Sequence, residues 1–187
     1  MMKINFNPFP NLETERLFLR RVDSNDVNEM FVLRSDTEIM KYIPRPLVKN
    51  KEEALEHIAT INTKIDSNEG INWGMTLKGN NTLIGVIGFY RIDIENYRAE
   101  IGYILHPDYK GKGIVSEAVK KLVDYGFNTT KLNSIEAVIA PENFASAKVL
   151  EKNGFTKEGY FKENQYFEGR FLDSALYSLL NKAKNQI

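Results

Sequence analysis

A glycine-rich loop with two lysines interrupts the middle of the sequence, where an extended apolar run ends and an amphipathic pattern begins. Residues 110–115 read KGKGIV. Glycine tolerates positive φ and allows a ligand to approach the backbone closely, and the first N–H groups of a helix have no intrahelical acceptor. A helix that begins near Ile114 would therefore complete a site suited to a phosphate.

Two other phosphate-binding loops fit this segment less well. A Walker loop reads G-x-x-x-x-G-K-[ST], whereas Lys112 is followed by Gly113 and leaves no hydroxyl for Mg²⁺. A dinucleotide loop reads G-x-G-x-x-G, and Ser116 occupies the third glycine position, although Glu136 stands at about the spacing of the ribose-binding acid. A dinucleotide enzyme would also need this loop to open a run of βαβ units, and the preceding pattern is an antiparallel meander.

A carboxylate lies in the strand that leads to this loop. Alternate residues of a strand share a face, so Glu100 shares its face with Gly102 and Ile104. A carboxylate beside a glycine gap can take a proton from a substrate amine, directly or through water. An ordinary solvent-facing or ion-paired glutamate would show the same pattern, so the residues alone leave both interpretations open.

The elements that must position these residues follow from hydrophobic periodicity. The pattern predicts strands at 16–22, 71–79, 82–95, 99–107 and 134–140, helices at 23–36, 51–65, 114–127 and 143–154, and a C-terminal hairpin that turns near Glu168 and Gly169. Asn143 is expected to be a helix N-cap, with Ser146 at N3 and Gly154 at C′. The order β-α-α-β-β-β-α-β-α-β-β predicts one α/β domain over residues 1–187. Its sheet is expected to be mixed, mostly antiparallel and of about seven strands, with helices on both faces.

Composition excludes several functional classes. Lys plus Arg number 25 and Asp plus Glu number 25, so no chain-wide positive field favours direct nucleic-acid binding. The absence of cysteine excludes thiol-ester catalysis and cysteine zinc sites, and two histidines are too few for most His-based metal sites, so we expect no metal. No apolar stretch approaches the ~20 residues of a membrane span and no leader pattern is present, which predicts a cytoplasmic protein. Monomer and homodimer remain open.

The glycine loop resembles the pyrophosphate-binding Q/R-x-x-G-x-G/A signature of the GNAT N-acetyltransferases, with Lys110 at the usual Gln or Arg and Val115 at a usual Gly or Ala. Residues 141–155, PENFASAKVLEKNGF, resemble the N-x-x-S-x-x-L/V-L-E-K-x-G-F segment of the same superfamily. Residues 12–31 and 99–119 resemble the RimJ/RimL-type branch, which acetylates the N-termini of ribosomal proteins. The resemblance covers about 12–180.

This resemblance implies acetyl-CoA as co-substrate and assigns roles by position. The pantetheine arm would pair with the strand at 103–105, and the pyrophosphate would lie on the loop. Glu100 would be the general base, and Ser146 or a tyrosine such as Tyr103 would protonate the leaving thiolate. The expected cofactor-binding residues are Leu105, Lys110, Gly111, Lys112, Gly113, Ile114, Val115 and Asn143.

The expected acceptor is a primary amine, most simply the N-terminal α-amino group of a ribosomal or other protein. An α-amino group has a pKa of ~7.7–8.0 and is roughly a tenth neutral at pH 7, which suits a weak carboxylate base better than lysine at ~10.4. Without cysteine, direct attack in a ternary complex is the simpler route. The segments 41–46 and 72–75 are expected to line the acceptor side. Two alternatives stay open: a small-amine (polyamine, amino-acid or drug) acetyltransferase, and a non-catalytic acyl-CoA-binding module in which Val115 crowds the cofactor.

Overall fold

The computed structural model describes residues 4–182, which form eight strands in one sheet and five α-helices. The strands are β1 (Leu12–Glu13), β2 (Leu17–Arg20), β3 (Ile71–Leu77), β4 (Gly85–Asp93), β5 (Arg98–Leu105), β6 (Ser134–Ile139), β7 (Thr156–Phe167) and β8 (Arg170–Leu180). The helices are α1 (Val27–Ser35), α2 (Thr37–Met40), α3 (Lys51–Asp66), α4 (Ile114–Asp124) and α5 (Phe144–Lys152).

The strand order is β1-β2-β3-β4-β5-β6-β8-β7, and every neighbouring pair is antiparallel except β5 and β6. Helices lie on both faces; α1 packs against α3, and α4 against α5. The predicted mixed, mostly antiparallel α/β sheet is therefore confirmed. The additional strand is β1, whose two residues are too few to show a periodic pattern.

The parallel pair β5 and β6 stays together for only a short distance. Their register runs from Arg98 opposite Ser134 to Glu100 opposite Glu136 and ends there. Beyond Glu100, the remaining residues of β5 pair with β4 alone. The sheet thus divides at Glu100, which leaves a gap between β5 and β6. The edge of β5 that borders this gap has no strand partner among residues 4–182.

A β-bulge interrupts the opposite edge of β5 at the same level. Phe89 pairs with Ile101 and Arg91 with Glu100, so Tyr90 is an extra residue of β4 with no direct partner. A bulge bends the strand and redirects the side chain of the inserted residue. The sequence did not predict this bulge, because the pattern of residues 82–95 is compatible with one uninterrupted strand.

Several predicted helix features are confirmed, and others are wrong. Asn143 caps α5 by accepting a hydrogen bond from the Ser146 N–H at 3.1 Å, and Gly154 follows with φ 86°. Helical periodicity over 51–65 predicts a buried stripe that includes Leu55, but Leu55 is 41% exposed. The helix α4 was expected to reach 127, but it ends at Asp124 and continues as a π-helical turn over 125–129. The short α2 was not predicted, because four residues give no periodicity.

Candidate active site

The open edge of β5 presents backbone donors toward the gap. The N–H of His106 donates to the Ile84 carbonyl oxygen at 2.8 Å, so that N–H points toward β4. Since N–H directions alternate along a strand, those of Tyr103 and Leu105 point the other way, toward the side from which β6 has separated. An extended ligand arm lying in the gap could pair with these groups as an additional strand would.

The glycine loop follows the open edge directly. Gly111 and Gly113 have φ of 74° and 75°, which fits the conformation expected of them. No side chain caps α4, and within residues 4–182 the N–H groups of Ile114, Val115 and Ser116 have no acceptor. From Glu100 to Leu105 the strand spans about 17 Å at its usual rise per residue. A ligand that reaches from the loop to Glu100 must therefore be long and extended.

Thr14 and Arg16, which lie between β1 and β2, form a clamp on this loop through hydrogen bonds. The sequence did not reveal this clamp. Arg16 donates from Nη1 to the Lys112 carbonyl oxygen at 3.0 Å and from Nε to Glu117 Oε2 at 2.7 Å. Thr14 Oγ1 and the Arg16 N–H donate to Glu117 Oε1 at 2.5 and 2.9 Å. Burial alone would raise the pKa of the Glu117 carboxyl, but these hydrogen bonds and the Arg16 charge lower it below its ordinary value. The clamp also places a guanidinium beside the loop.

The predicted cationic residues of the loop are exposed. Lys110 and Lys112 face solvent, and Lys112 Nζ lies 5.5 Å from the ring centroid of Tyr109. Within the described chain no carboxylate forms an ion pair with either lysine. Val115, the residue expected to crowd a cofactor, is half-buried and packs against the hydrophobic core. Its side chain therefore occupies core space.

A tyrosine bridges the two sides of the gap. Tyr103 Oη donates to the Ser146 carbonyl oxygen at 3.5 Å, which joins β5 to the first turn of α5. Burial raises the pKa of the Tyr103 hydroxyl to about 12, although its contact with Ser146 opposes the shift. Tyr103 is thus protonated at neutral pH and can act as a proton donor. The two residues predicted as alternative acids are adjacent in the structure.

The candidate base lies at the point where the sheet divides. The Glu100 side chain is 12% exposed, and its Oε2 lies 3.8 Å from Arg91 Nη1. Burial raises the pKa of the Glu100 carboxyl and the charge of Glu136 adds to that shift, while Arg91 and Arg45 oppose it. A raised pKa suits a general base better than that of an ordinary surface carboxylate, because the base is stronger when it is deprotonated.

A cavity of about 640 Å³ opens beside Glu100. Its lining combines strand residues of both signs of charge with the last turn of α3, and comprises Lys64, Glu69, Tyr90, Arg91, Ile92, Asp93, Ile94, Arg98, Ala99, Glu100 and Glu136. Arg98 is paired with Asp93 at 3.3 Å and with Glu136 at 3.6 Å. The cavity is large enough for an acceptor group to reach the base.

The sequence suggested open space over Gly102, beside Glu100, but another side chain occupies that space. A β-carbon on Gly102 would collide with the hydroxyl of Tyr90, so this phenol lies over the glycine. Burial of the hydroxyl and the nearby charge of Glu100 raise the pKa of Tyr90 to about 12, although 39% of the residue remains exposed. Tyr90, the residue at the unpredicted bulge, is therefore part of the candidate site.

Of the two segments expected on the acceptor side, one is buried and the other carries an exposed arginine. Trp73 and Met75 are fully buried, and the Trp73 indole N–H donates to the Pro10 carbonyl oxygen at 2.7 Å. The segment 72–75 therefore belongs to the core, and its expected role at the acceptor is wrong. Arg45, in the segment 41–46, is exposed and close enough to Glu100 to lower the pKa of that carboxyl.

Two further features are absent from residues 4–182. That part of the chain contains no group of three or more His, Cys, Asp or Glu residues arranged to hold a metal ion. It also contains no helix with the length and apolar character needed to cross a membrane.

Comparison with known proteins identifies the family. The model for the acetyltransferase (GNAT) domain matches residues 16–156. The N-acetyltransferase p20 of Bacillus licheniformis is 39% identical over 171 residues, which cover 91% of this chain and 96% of that protein. The crystal structure of a GNAT-family acetyltransferase from Bacillus anthracis has a TM-score of 0.81 at 33% identity, and covers 91% of this chain and 98% of that one.

Relatives with named acceptors match over a similar length. The ribosomal-protein-serine acetyltransferase of Escherichia coli (strain K12) is 29% identical over 167 residues, covering 88% of this chain and 93% of that protein. The spermidine N(1)-acetyltransferase of Vibrio cholerae is 24% identical and covers 91% of this chain and 97% of its own length.

The fold also matches a ribosomal L7/L12 α-N-protein acetyltransferase in complex with coenzyme A, with a TM-score of 0.84 at 24% identity over 93% of this chain and 99% of that one. The resemblance to the RimJ/RimL-type branch is confirmed. The dinucleotide alternative is wrong, because β5 and β6 are the one parallel pair among the strands of residues 4–182, so the glycine loop opens no run of βαβ units. The chain belongs to the GNAT family of acetyltransferases.

Proposed function

We propose that this acetyltransferase moves the acetyl group of acetyl-CoA to the N-terminal α-amino group of a ribosomal or other cytoplasmic protein, by direct attack in a ternary complex. The observation that carries the proposal is the position of Glu100. Its carboxylate, mostly buried and with a raised pKa, faces a cavity at the point where β5 and β6 separate. The similarity to the E. coli ribosomal-protein-serine acetyltransferase supports the class of acceptor.

The donor would lie along the open edge of β5, with its phosphates at the glycine loop. Backbone N–H groups at the start of α4 would bind the pyrophosphate, with Arg16, Lys110 and Lys112 adding positive charge. The N–H groups of Tyr103 and Leu105 would hold the pantetheine arm and accept the negative charge that develops on the thioester oxygen. Asn143 would act indirectly, by fixing the start of α5 beside the arm.

The acceptor would enter through the cavity and lose a proton to Glu100, directly or through water. The neutral nitrogen then attacks the thioester carbon; a C–N bond forms, the C–S bond breaks, and the nitrogen releases its surplus proton to water. Tyr103 is the stronger candidate to protonate the departing thiolate, because its hydroxyl is protonated at neutral pH, is more acidic than an aliphatic hydroxyl and spans the gap. The Ser146 hydroxyl is a second candidate on the same turn of α5.

A small-amine acceptor is a second candidate, since the cavity has carboxylates at Glu69, Asp93, Glu100 and Glu136, and a spermidine N(1)-acetyltransferase is among the relatives. A cation would be attracted to these carboxylates. Peptide and polyamine acceptors therefore need to be compared directly in one assay.

Calorimetric titration with acetyl-CoA, with desulfo-CoA and NAD⁺ as controls, followed by thiol release on addition of N-terminal peptides or spermidine, tests the proposal. We expect binding of acetyl-CoA and thiol release with a peptide, and loss of about 100-fold or more of turnover in Glu100→Gln. Glu136→Gln is the matched control, because it changes the charge of the same cavity equally and should retain turnover within severalfold.

Other outcomes would contradict the proposal in distinguishable ways. Binding without thiol release for any amine would favour a non-catalytic acyl-CoA-binding module. Release with spermidine and with no peptide would replace the protein acceptor by a small amine. An acetylated enzyme that accumulates without acceptor would exclude direct attack.

A further inference from the structure

A phenol hydroxyl without a hydrogen-bond partner faces the cavity. Tyr90, the bulged residue of β4, lines the cavity beside Glu100 and is 39% exposed, so a ligand in the cavity can reach it. Within residues 4–182 its hydroxyl forms no hydrogen bond, whereas that of Tyr103 reaches the Ser146 carbonyl oxygen. Tyrosine hydroxyls that are withdrawn from water usually have a hydrogen-bond partner. The Tyr90 hydroxyl is therefore available to a ligand.

The contact with Gly102 gives the position of this hydroxyl. A β-carbon on Gly102 would collide with the hydroxyl oxygen and with ring atoms of Tyr90, so the phenol lies over that residue. Glu100 and Gly102 are alternate residues of β5 and belong to one face of the strand. Such positions are about 7 Å apart along a strand. The candidate base and the hydroxyl thus border the same space.

The hydroxyl also lies between the base and the donor groups of the open edge. Along β5 the order is the carboxylate of Glu100, the phenol over Gly102, and then the N–H groups of Tyr103 and Leu105. In the proposed function these N–H groups bind the thioester oxygen. A nitrogen that gives its proton to Glu100 and attacks the thioester carbon must lie between these two places. The hydroxyl of Tyr90 borders that position.

The chemistry of the hydroxyl suits an ammonium group. Burial, followed by the charge of Glu100, raises the pKa of Tyr90 to about 12, so the phenol is neutral at physiological pH. A neutral phenol oxygen accepts a hydrogen bond from an ammonium group and leaves its proton to the carboxylate. An α-ammonium group has three N–H groups. One can be donated to Glu100 and a second to Tyr90.

We propose that the Tyr90 hydroxyl accepts a hydrogen bond from the ammonium group of the acceptor molecule and positions its nitrogen between Glu100 and the thioester. This inference rests on the proposed function, because it places the amine in the cavity. The acceptor molecule then needs at least two N–H groups on its charged nitrogen, one for the carboxylate and one for the phenol. A primary ammonium group meets this requirement, and a dimethylated N-terminus, with a single N–H group, does not.

Binding to the protein saturated with desulfo-CoA tests the inference without turnover. The probes are Ser-Gly-Gly amide and N,N-dimethyl-Ser-Gly-Gly amide at pH 7, where an α-ammonium group predominates. We expect the wild type to bind the primary amine more tightly. In Tyr90→Phe the ratio of the two Kd values should shrink about tenfold or more, because a hydrogen bond to a charged group is lost. Tyr90→Phe breaks no hydrogen bond within residues 4–182, so Tm should stay unchanged.

Kinetics separate a contact with the amine from simple coverage of Glu100. The ring of Tyr90→Phe still lies over Gly102, so the acid limb of the pH–rate profile and the Kd of acetyl-CoA should stay as in the wild type. The kcat/KM for the peptide should nevertheless fall about tenfold. Tyr166→Phe is the matched control, because Tyr166 is 67% exposed and its ring packs against Phe171 in the β7–β8 hairpin. It should change neither the ratio nor the rate.

The outcomes distinguish this inference from the proposed function. An unchanged ratio of Kd values in Tyr90→Phe, or no binding of either peptide, would overturn the role of the hydroxyl. Thiol release at the wild-type rate from Tyr90→Phe would also overturn it and leave the proposed transfer standing. A ratio that depends on Tyr90, without thiol release from any amine, would refute the transfer and leave the hydrogen bond to the ammonium group standing.

Discussion

The hydroxyl of Tyr90 lies where a β-carbon on residue 102 would stand, so Tyr90 and Gly102 fit together only because residue 102 is glycine. Tyr90 is the bulged residue of β4, and its phenol lies over Gly102 of β5. Burial, followed by the charge of Glu100, raises the pKa of the Tyr90 hydroxyl to about 12. Gly102 is therefore required for the phenol to lie where it does.

Gly102→Ala should displace the Tyr90 phenol and admit water to Glu100. Because burial is the largest cause of the raised Glu100 pKa, the acid limb of the pH–rate profile should move to lower pH, and turnover should fall about tenfold. The fold should survive, since the displaced atoms are the end of a flexible side chain. Thiol-release kinetics across pH measure the shift. In a Tyr90→Ala background the same Gly102→Ala change should have almost no further effect, and independent additive effects would contradict the pairing.

The ionised Glu100 side chain should lower the free energy of unfolding at the pH where the enzyme is active. Its folded-state pKa is raised, so the folded protein binds more protons than the unfolded chain between the two pKa values, and stability falls as pH rises through that window. Glu100→Gln removes the buried charge and should raise Tm at pH 8, with the difference fading toward about pH 3, where the Glu100 carboxyl is protonated in both the folded and the unfolded chain. Thermal unfolding at both pH values measures this. A lower Tm for the variant at pH 8 would show that the Arg91 pair outweighs burial.

Arg16→Met should weaken the donor site specifically. The substitution removes the hydrogen bonds to the Lys112 carbonyl and to Glu117, along with the positive charge beside the loop. We expect about a fivefold to tenfold rise in the Kd of acetyl-CoA, which corresponds to about 1–1.4 kcal/mol, with kcat changed much less. Arg21→Met is the matched control, because Arg21 pairs with Asp66 at 2.7 Å instead of with the loop. Equal losses of affinity in both variants would indicate a general effect on the N-terminal strands.

His57 should make the protein sensitive to acid. Its pKa is lowered to about 4 in the fold, against ~6.5 in an unfolded chain, so the unfolded state binds the extra proton between these values. Stability should be fully present above pH 6.5 and fall by as much as about 3 kcal/mol as pH decreases toward 4. Urea unfolding at pH 4.5 and 7 measures the difference, and His57→Gln should reduce it. An unchanged pH dependence in His57→Gln would assign the acid sensitivity to other groups.

Much of the fold could be predicted because its elements carry clear local signals. Helical periodicity over 114–127 predicts a buried stripe at Ala118, Val119 and Leu122, and all three residues are buried. The Asn143 cap and the hairpin turn at Gly169 each depend on a few adjacent residues. Motifs of this kind depend on nearest neighbours in sequence, which is the range over which periodicity and capping act.

The parts of the site that were missed depend on distant residues. The clamp joins Arg16 to Glu117, and in sequence each looks like an ordinary surface charge. Tyr90 lies over Gly102, which is a contact between residues of two different strands. No local pattern distinguishes a side chain that finds such a distant partner from one that faces solvent, because the packing of separate segments determines the partner.

The hydrogen bonds from Thr14 and Arg16 to Glu117 also couple two processes that are usually measured separately. These are the local unfolding of the N-terminal strands and the binding of the donor. If the N-terminal strands detach locally, the loop at the start of α4 loses its support while the rest of the sheet can remain folded. Donor affinity therefore reports whether that edge is docked, and a bound donor should in turn shield residues near Arg16 from proteases. A fragment that begins at β3 would keep every glycine of the loop and still lack the surroundings that make the loop a binding site.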